Sequence, residues 1–217
     1  MREINEFSGL NPIHFFHLQG ECRHTDKQKL PDFNSKAGKR FILPDTSSIT
    51  GEELFADLAL AWNEEGLSCR VEVNQAPLQS TFPNPERGDS VELFIDTRDV
   101  KTSGFNTRFC HHFFFLAEAV NTCQAGEATH FRTEDAHPLC DPKMLQISSH
   151  KTARNYRMEI FIPSQCLIGY DPSNFNRIGF TYRINRPDGP SQHYCVTSEN
   201  YQIHQQPSLW SSLKLTP

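Results

Sequence analysis

The sequence predicts an all-β chain, a two-sheet antiparallel β-sandwich with few short helical turns. Three observations carry this reading. Short segments alternate apolar and polar residues with a period of two. Gly, Pro and Asn cluster between those segments. Helical periodicity is confined to 52–58 and 117–122, each long enough for a turn or two.

The elements follow in order. Residues 1 to about 40 have no period. Asn11-Pro12, Gly20, the stretch at 27–29 and Pro31 interrupt it, so the segment reads as an irregular arm packed on the domain, with Phe15 and Phe16 as anchors. Residues 41–217 read as the sandwich. In 57–62, Leu58, Leu60 and Trp62 share one face, and in 67–73 Cys69, Val71 and Val73 do the same. Between them Asn63-Glu64-Glu65-Gly66 suits a hairpin turn. The strand at 90–96 turns Val91, Leu93 and Ile95 inward. An aromatic strand is expected over 109–117 and a weaker one over 144–149. Strong strands follow at 156–162, closed by Pro163, and at 178–184, with a short one at 193–196. Such a series fits a jelly-roll or immunoglobulin-like sandwich.

Composition narrows the function. Net charge is −5 with both signs scattered, so no basic footprint for nucleic acid stands out. No apolar run approaches the length that spans a bilayer. The charged start, Met1-Arg2-Glu3, lacks a signal-peptide core, and the seven Cys are odd in number with no C-x-x-C. A cytoplasmic protein with reduced thiols is the expectation.

The order of the segments carries a family resemblance. Trp62-Asn63 ends one strand before a tight turn. Gly88-Asp89-Ser90-Val91-Glu92-Leu93-Phe94-Ile95-Asp96-Thr97 follows, then Tyr156-Arg157-Met158-Glu159-Ile160-Phe161-Ile162-Pro163, then Ile178-Gly179-Phe180, and at the end Pro207-Ser208-Leu209-Trp210. Over roughly 40–217 this resembles the family 9-like carbohydrate-binding modules, part of the wider DOMON-like group. The resemblance implies a two-sheet sandwich that binds without catalysis. It implies a carbohydrate as ligand, with sugar or haem as the ligands of the wider group.

The outward faces of the strands supply the candidate binding residues: Arg70, Glu72, Glu92, Phe94, Glu159, Phe161 and Arg183. Arg and carboxylates there would hydrogen-bond hydroxyls, and a Phe would stack on a sugar ring. A solvated face gives the same alternation. Trp62 and Trp210 read as core. No catalytic residue is assigned. As cofactor, only calcium suggests itself, through Asp89, Glu92, Asp96 and Asp99, whose spacing is not an EF-hand loop. His111 and His112 are adjacent on a strand and so cannot grip one metal together, whereas His14 and His17 have a helical ligand spacing. Two other readings fit the same residues. One is a structural or protein-interaction sandwich without sugar binding. The other is a His/Cys metal- or haem-binding protein or enzyme.

Overall fold

The computed structural model describes residues 18–199 and 201–217. The expected anchors Phe15 and Phe16 lie outside them. Among the described residues eleven strands form: β1 (Gln19–His24), β2 (Ala56–Asn63), β3 (Gly66–Val73), β4 (Ser90–Asp96), β5 (Cys110–Val120), β6 (Cys123–Glu127), β7 (Gln146–Lys151), β8 (Tyr156–Pro163), β9 (Arg177–Asn185), β10 (Gln192–His193) and β11 (Ser211–Thr216). They run in the order β6-β5-β4-β9-β11-β1-β2-β3-β8-β7, and β10 adds to β9. The result is a β-sandwich whose two layers are continuous through β11 and β1. At the free edges, side chains link β7 to β6 and to β5. Gln124 Nε2 donates to Ser149 Oγ at 3.2 Å, and Lys151 pairs with Glu118.

Alternation sets the layers as expected. Val91, Leu93 and Ile95 from β4 meet Cys69, Val71 and Val73 from β3 in one core, with Phe113, Phe115, Met158, Ile160 and Phe180. Ile160 sits between Cys69 and Ile147 on its neighbouring strands and is 2% exposed. Ile160→Ala should therefore cost about 2–5 kcal/mol, read by denaturant unfolding. A loss below about 0.5 kcal/mol would mean that the two faces of β8 are assigned the wrong way round. The β2–β3 hairpin also forms as read, and Gly66 answers a second demand. A Cβ there would stand 2.1 Å from the Ile162 carbonyl oxygen, so its side-chain-free backbone lets β8 close on β3.

Several elements differ from the sequence reading. Part of the segment read as an irregular arm is β1, which lies in the middle of the sheet and pairs in parallel with both β11 and β2. Its residues, QGECRH, are polar and do not alternate cleanly. Next, α1 (Lys36–Lys39) and α2 (Ser47–Thr50) hold the helical turns. Residues 52–58 and 117–122 do not. The first run leads into β2. The second extends β5 until it turns at Asn121 and Thr122, both at positive φ, into β6. Segment 30–41 packs Leu30, Phe33 and Phe41 on the outer side of β2, where Ala59 and Ala61 leave room. Finally, the thiols are not all free. Cys140 and Cys166 form a disulfide with Cα atoms 5.1 Å apart, while Cys22, Cys69, Cys110, Cys123 and Cys195 stay free. The 26-residue separation of the bonded pair left no local motif to read. No helix among the described residues is long and apolar enough to cross a membrane.

Candidate functional site

The seven outward-facing candidates separate into two groups, because β11, β1 and β2 lie between β9 and β3 in the sheet.

The first group surrounds Arg70 on β3. Its guanidinium is buried and has no free approach. Nε donates to Glu72 Oε1 at 2.8 Å, Nη2 donates to Asp32 Oδ2 at 3.1 Å, and Nη1 reaches the Leu30 carbonyl at 3.4 Å. It also lies 5.2 Å from the Phe33 ring centroid. Glu159 stands opposite Arg70 on β8, 3.9 Å from it, and takes Lys29 at 3.1 Å. Phe161 is buried on the same strand. Arg70 thus clamps segment 30–34 to the sheet. Beside it a polar groove of about 250 Å³ is lined by Asp32, Glu72, Asn74, His150, Asn155 and Arg157.

The second group surrounds Glu92 on β4. Alternation puts Glu92 opposite Arg183 on β9 and, on the same face, two residue pairs along from His112 on β5. Its carboxylate accepts from Arg183 Nε and Nη2 at 2.9 Å each, from His112 Nε2 at 2.7 Å and from Asn185 Nδ2 at 2.7 Å. Burial pushes the Glu92 carboxyl up. The His112 hydrogen bond, the Arg183 and His112 charges and the Asn185 hydrogen bond outweigh it and hold the group at about 2. With four donors on two oxygens, Glu92 is saturated. It orients Arg183 and His112, which are 15% and 12% exposed at the rim. Phe94 lies under the His112 ring, stacked with centroids 4.4 Å apart, and 5.9 Å from Trp210. It is wholly buried, so it supports the face and offers no platform to a ligand.

Two loops rise over this face, and the sequence did not reveal them. Asn106 Nδ2 donates to the carbonyls of both His130 and His204, at 3.0 and 2.9 Å, tying the loops together. Arg132 adds a hydrogen bond to Gln205. His204 stands close enough to the cradle for its titration to feel it. Burial first, then the positive neighbours His112 and Arg183, lower its pKa. Phe105, next to Asn106 in the chain, is exposed. The only sequence signal for these residues was an aromatic or His in a loop, which is common at random.

The other candidates resolve separately. The carboxylates considered for calcium are engaged by other groups. Asp89 accepts from the Leu78 and Gln79 N–H groups, Asp96 from those of Arg98 and Val100, and Asp99 pairs with Lys101 and Ser212. Asp89 and Asp96 flank opposite ends of β4, too far apart to share one ion. His111 and His112 do point to opposite sides of β5, while His14 and His17 lie outside the described residues. Burial raises the pKa of all five free thiols, of Cys110 and Cys195 to about 12, which disfavours the thiolate that a cysteine nucleophile uses. Glu52, His193 and Ser198 stand in the order of a hydrolytic relay, at 2.6 and 2.8 Å. The Ser198 N–H also points at the same His193 Nε2 at 3.3 Å, and Glu52 also accepts from the His193 N–H. This trio closes the 193–198 turn and fastens it to the segment before β2.

Comparison with known proteins follows the same fold. A family 9 carbohydrate-binding module from Caldicellulosiruptor kristjanssonii, solved with cellotriose, is 19% identical; 92% of this chain and 94% of that one superpose with a TM-score of 0.60. A module from the same organism solved with glucose is 22% identical, with a TM-score of 0.52 over 74% of this chain and 75% of that one. A Bacteroides uniformis protein is 10% identical and reaches 0.55 over 91% of this chain and 98% of that one. At these identities the likeness is one of fold. No curated protein matches the sequence. The sequence model of a family described as carbohydrate family 9 binding domain-like matches residues 36–217, nearly the whole sandwich, and the chain belongs to that family.

Proposed function

We propose that this chain is a non-catalytic carbohydrate-binding module whose site is the Glu92 face, under the loops that carry Phe105, His130 and His204. One observation carries the choice of face. Glu92 spends all its hydrogen-bonding capacity on fixing Arg183 and His112 at a partly exposed rim. Donors held in place beforehand lose little freedom when they bind a hydroxyl, and charged donors make the stronger bonds. Exposed Phe105 and the His204 ring supply flat surface against the apolar side of a pyranose. Family membership and the two sugar-bound structures support the ligand class. The Arg70 face is weaker because its charges already hold segment 30–34.

The test is calorimetric or NMR titration with glucose, cello-oligosaccharides and a wider sugar panel. Affinity is expected in the micromolar to millimolar range, about −4 to −8 kcal/mol. Phe105→Ala and His204→Ala should each weaken it about tenfold with little change in melting temperature. Glu159→Ala should leave it unchanged. If Glu159→Ala alone abolishes binding, the site is the Arg70 face. If no sugar binds, the interaction-module reading replaces this one.

A further inference from the structure

On β5, His111 points away from the proposed sugar face and into the sandwich. It lies beside Ile95 and stacks on Phe113 with centroids 5.5 Å apart. There it meets Glu127, the last residue of β6, and His137 from the following loop. His111 Nδ1 and His137 Nε2 each stand 2.9 Å from Glu127 Oε1, and the candidate ligand atoms of the three residues lie within 4.8 Å of one another. The side chains are shut from solvent, at 0%, 0% and 3% exposure.

The protons in this trio are hard to place. His137 Nδ1 faces the Arg108 carbonyl at 2.6 Å, and a carbonyl only accepts, so Nδ1 carries a hydrogen. A neutral His137 then aims the Nε2 lone pair at a carboxylate oxygen. Only a doubly protonated, buried imidazolium avoids that clash. Glu127 Oε1 also accepts from Thr129 Oγ at 2.7 Å, so three groups converge on one oxygen. His111 has the complementary difficulty. Its Nε2 makes no hydrogen bond, although the Ile168 carbonyl is near. With the proton on Nδ1, an unpaired lone pair is buried at Nε2. With the proton on Nε2, a lone pair faces Glu127.

A cation among the three resolves both conflicts. We propose that His111, Glu127 and His137 form a binding site for a divalent transition-metal ion, with zinc the best match to two imidazoles and a carboxylate. His137 binds through Nε2 and His111 through Nδ1, leaving the His111 proton on Nε2 towards Ile168. Donors around a tetrahedral zinc stand roughly 3.3 Å apart, so each histidine–Glu127 separation opens by a few tenths of an ångström while the widest separation in the trio, within 4.8 Å, closes. The outer shell is already in place. Arg108 holds the His137 tautomer, and the Cys140 N–H holds Glu127 Oε2 at 2.7 Å. The ion would tie β5 and β6 to the loop 128–141, whose other residues His130 and Arg132 border the proposed sugar face.

The test loads the purified full chain with Co²⁺, removes free ion by desalting, and measures bound metal and the visible spectrum. Close to one ion per chain is expected, with the absorption bands of four-coordinate Co²⁺. No thiolate-to-cobalt band should appear in the near ultraviolet, because no cysteine is a ligand, and Zn²⁺ should displace the Co²⁺. His137→Gln should lower retention about tenfold or more, with folding checked by circular dichroism, and His130→Gln on the same loop should not. A native chain that retains under about a tenth of an ion, or a spectrum with a thiolate band, overturns the site. So does a folded His137→Gln that binds as well as the native chain. If His137→Gln does not fold, native stoichiometry and spectrum decide alone.

Discussion

Replacing Arg183 with Met should destabilise the protein by about 3–5 kcal/mol and move its acid denaturation to higher pH. Glu92 is only 1% exposed, and Arg183 supplies two of its four hydrogen bonds. A methionine fills the space and leaves a buried carboxylate with His112 and Asn185 alone. The pH signature separates this charge effect from a packing effect. In the native protein the Glu92 carboxyl is held at about 2, below the ordinary value of 4.5. The stability that this provides is complete above about pH 5 and is lost as pH falls from about 4.5 towards 2. The shift corresponds to about 3 kcal/mol. Glu92→Gln lacks that titration, so its stability curve should fall less steeply across the same window. Urea melts at several pH values read both effects. Parallel curves for the native and Glu92→Gln proteins would show that Glu92 carries no such coupling.

Trp210→Ala should cost about 3–5 kcal/mol, more than the same change at Trp62. Trp210 is 1% exposed and lies against Phe94, beneath the Glu92 face. Its indole N–H donates to the Ile203 carbonyl at 2.7 Å. Removing the ring opens a cavity and orphans that carbonyl, an additional penalty of about 1–3 kcal/mol where water cannot reach it. Because Ile203 opens the turn that carries His204, sugar affinity should fall together with stability. Trp62 is only partly buried, and its N–H reaches the Thr216 carbonyl at 3.0 Å. Equal losses at the two tryptophans in equilibrium denaturation would refute this ranking.

The strands that were legible were those whose side chains state the period. β4, β8 and β9 place Val, Leu, Ile and Phe at every second position, and their bounds match the reading to within a residue. β1 and β6 are short, polar or small; β1 owes its pairing to β11 and β2, which the chain reaches only after long excursions, and β6 follows β5 through a tight turn but states no period of its own. The same limit explains the site. Alternation assigned Arg70, Glu92 and Arg183 correctly to outward faces. It carries no information on which strands are adjacent, so two groups three strands apart looked like one. His137 and His204 sit in loops, where no period exists to mark them.

The pairing of β1 with β11 also governs how the molecule can be made. These strands are the first and last of the eleven to leave the ribosome, yet among the described residues they form the backbone ladder that joins the two layers. While the chain is growing, β2, β3, β7 and β8 can zip together, and β4, β5, β6 and β9 can do the same. Each half-product must wait with one flank unpaired, the kind of edge that recruits other chains. Assembly is therefore completed only after synthesis has passed Ser211–Thr216, and those six residues act as the fastener of the whole structure. A protease that trims them removes no part of the proposed ligand face, yet it unlocks both layers at once.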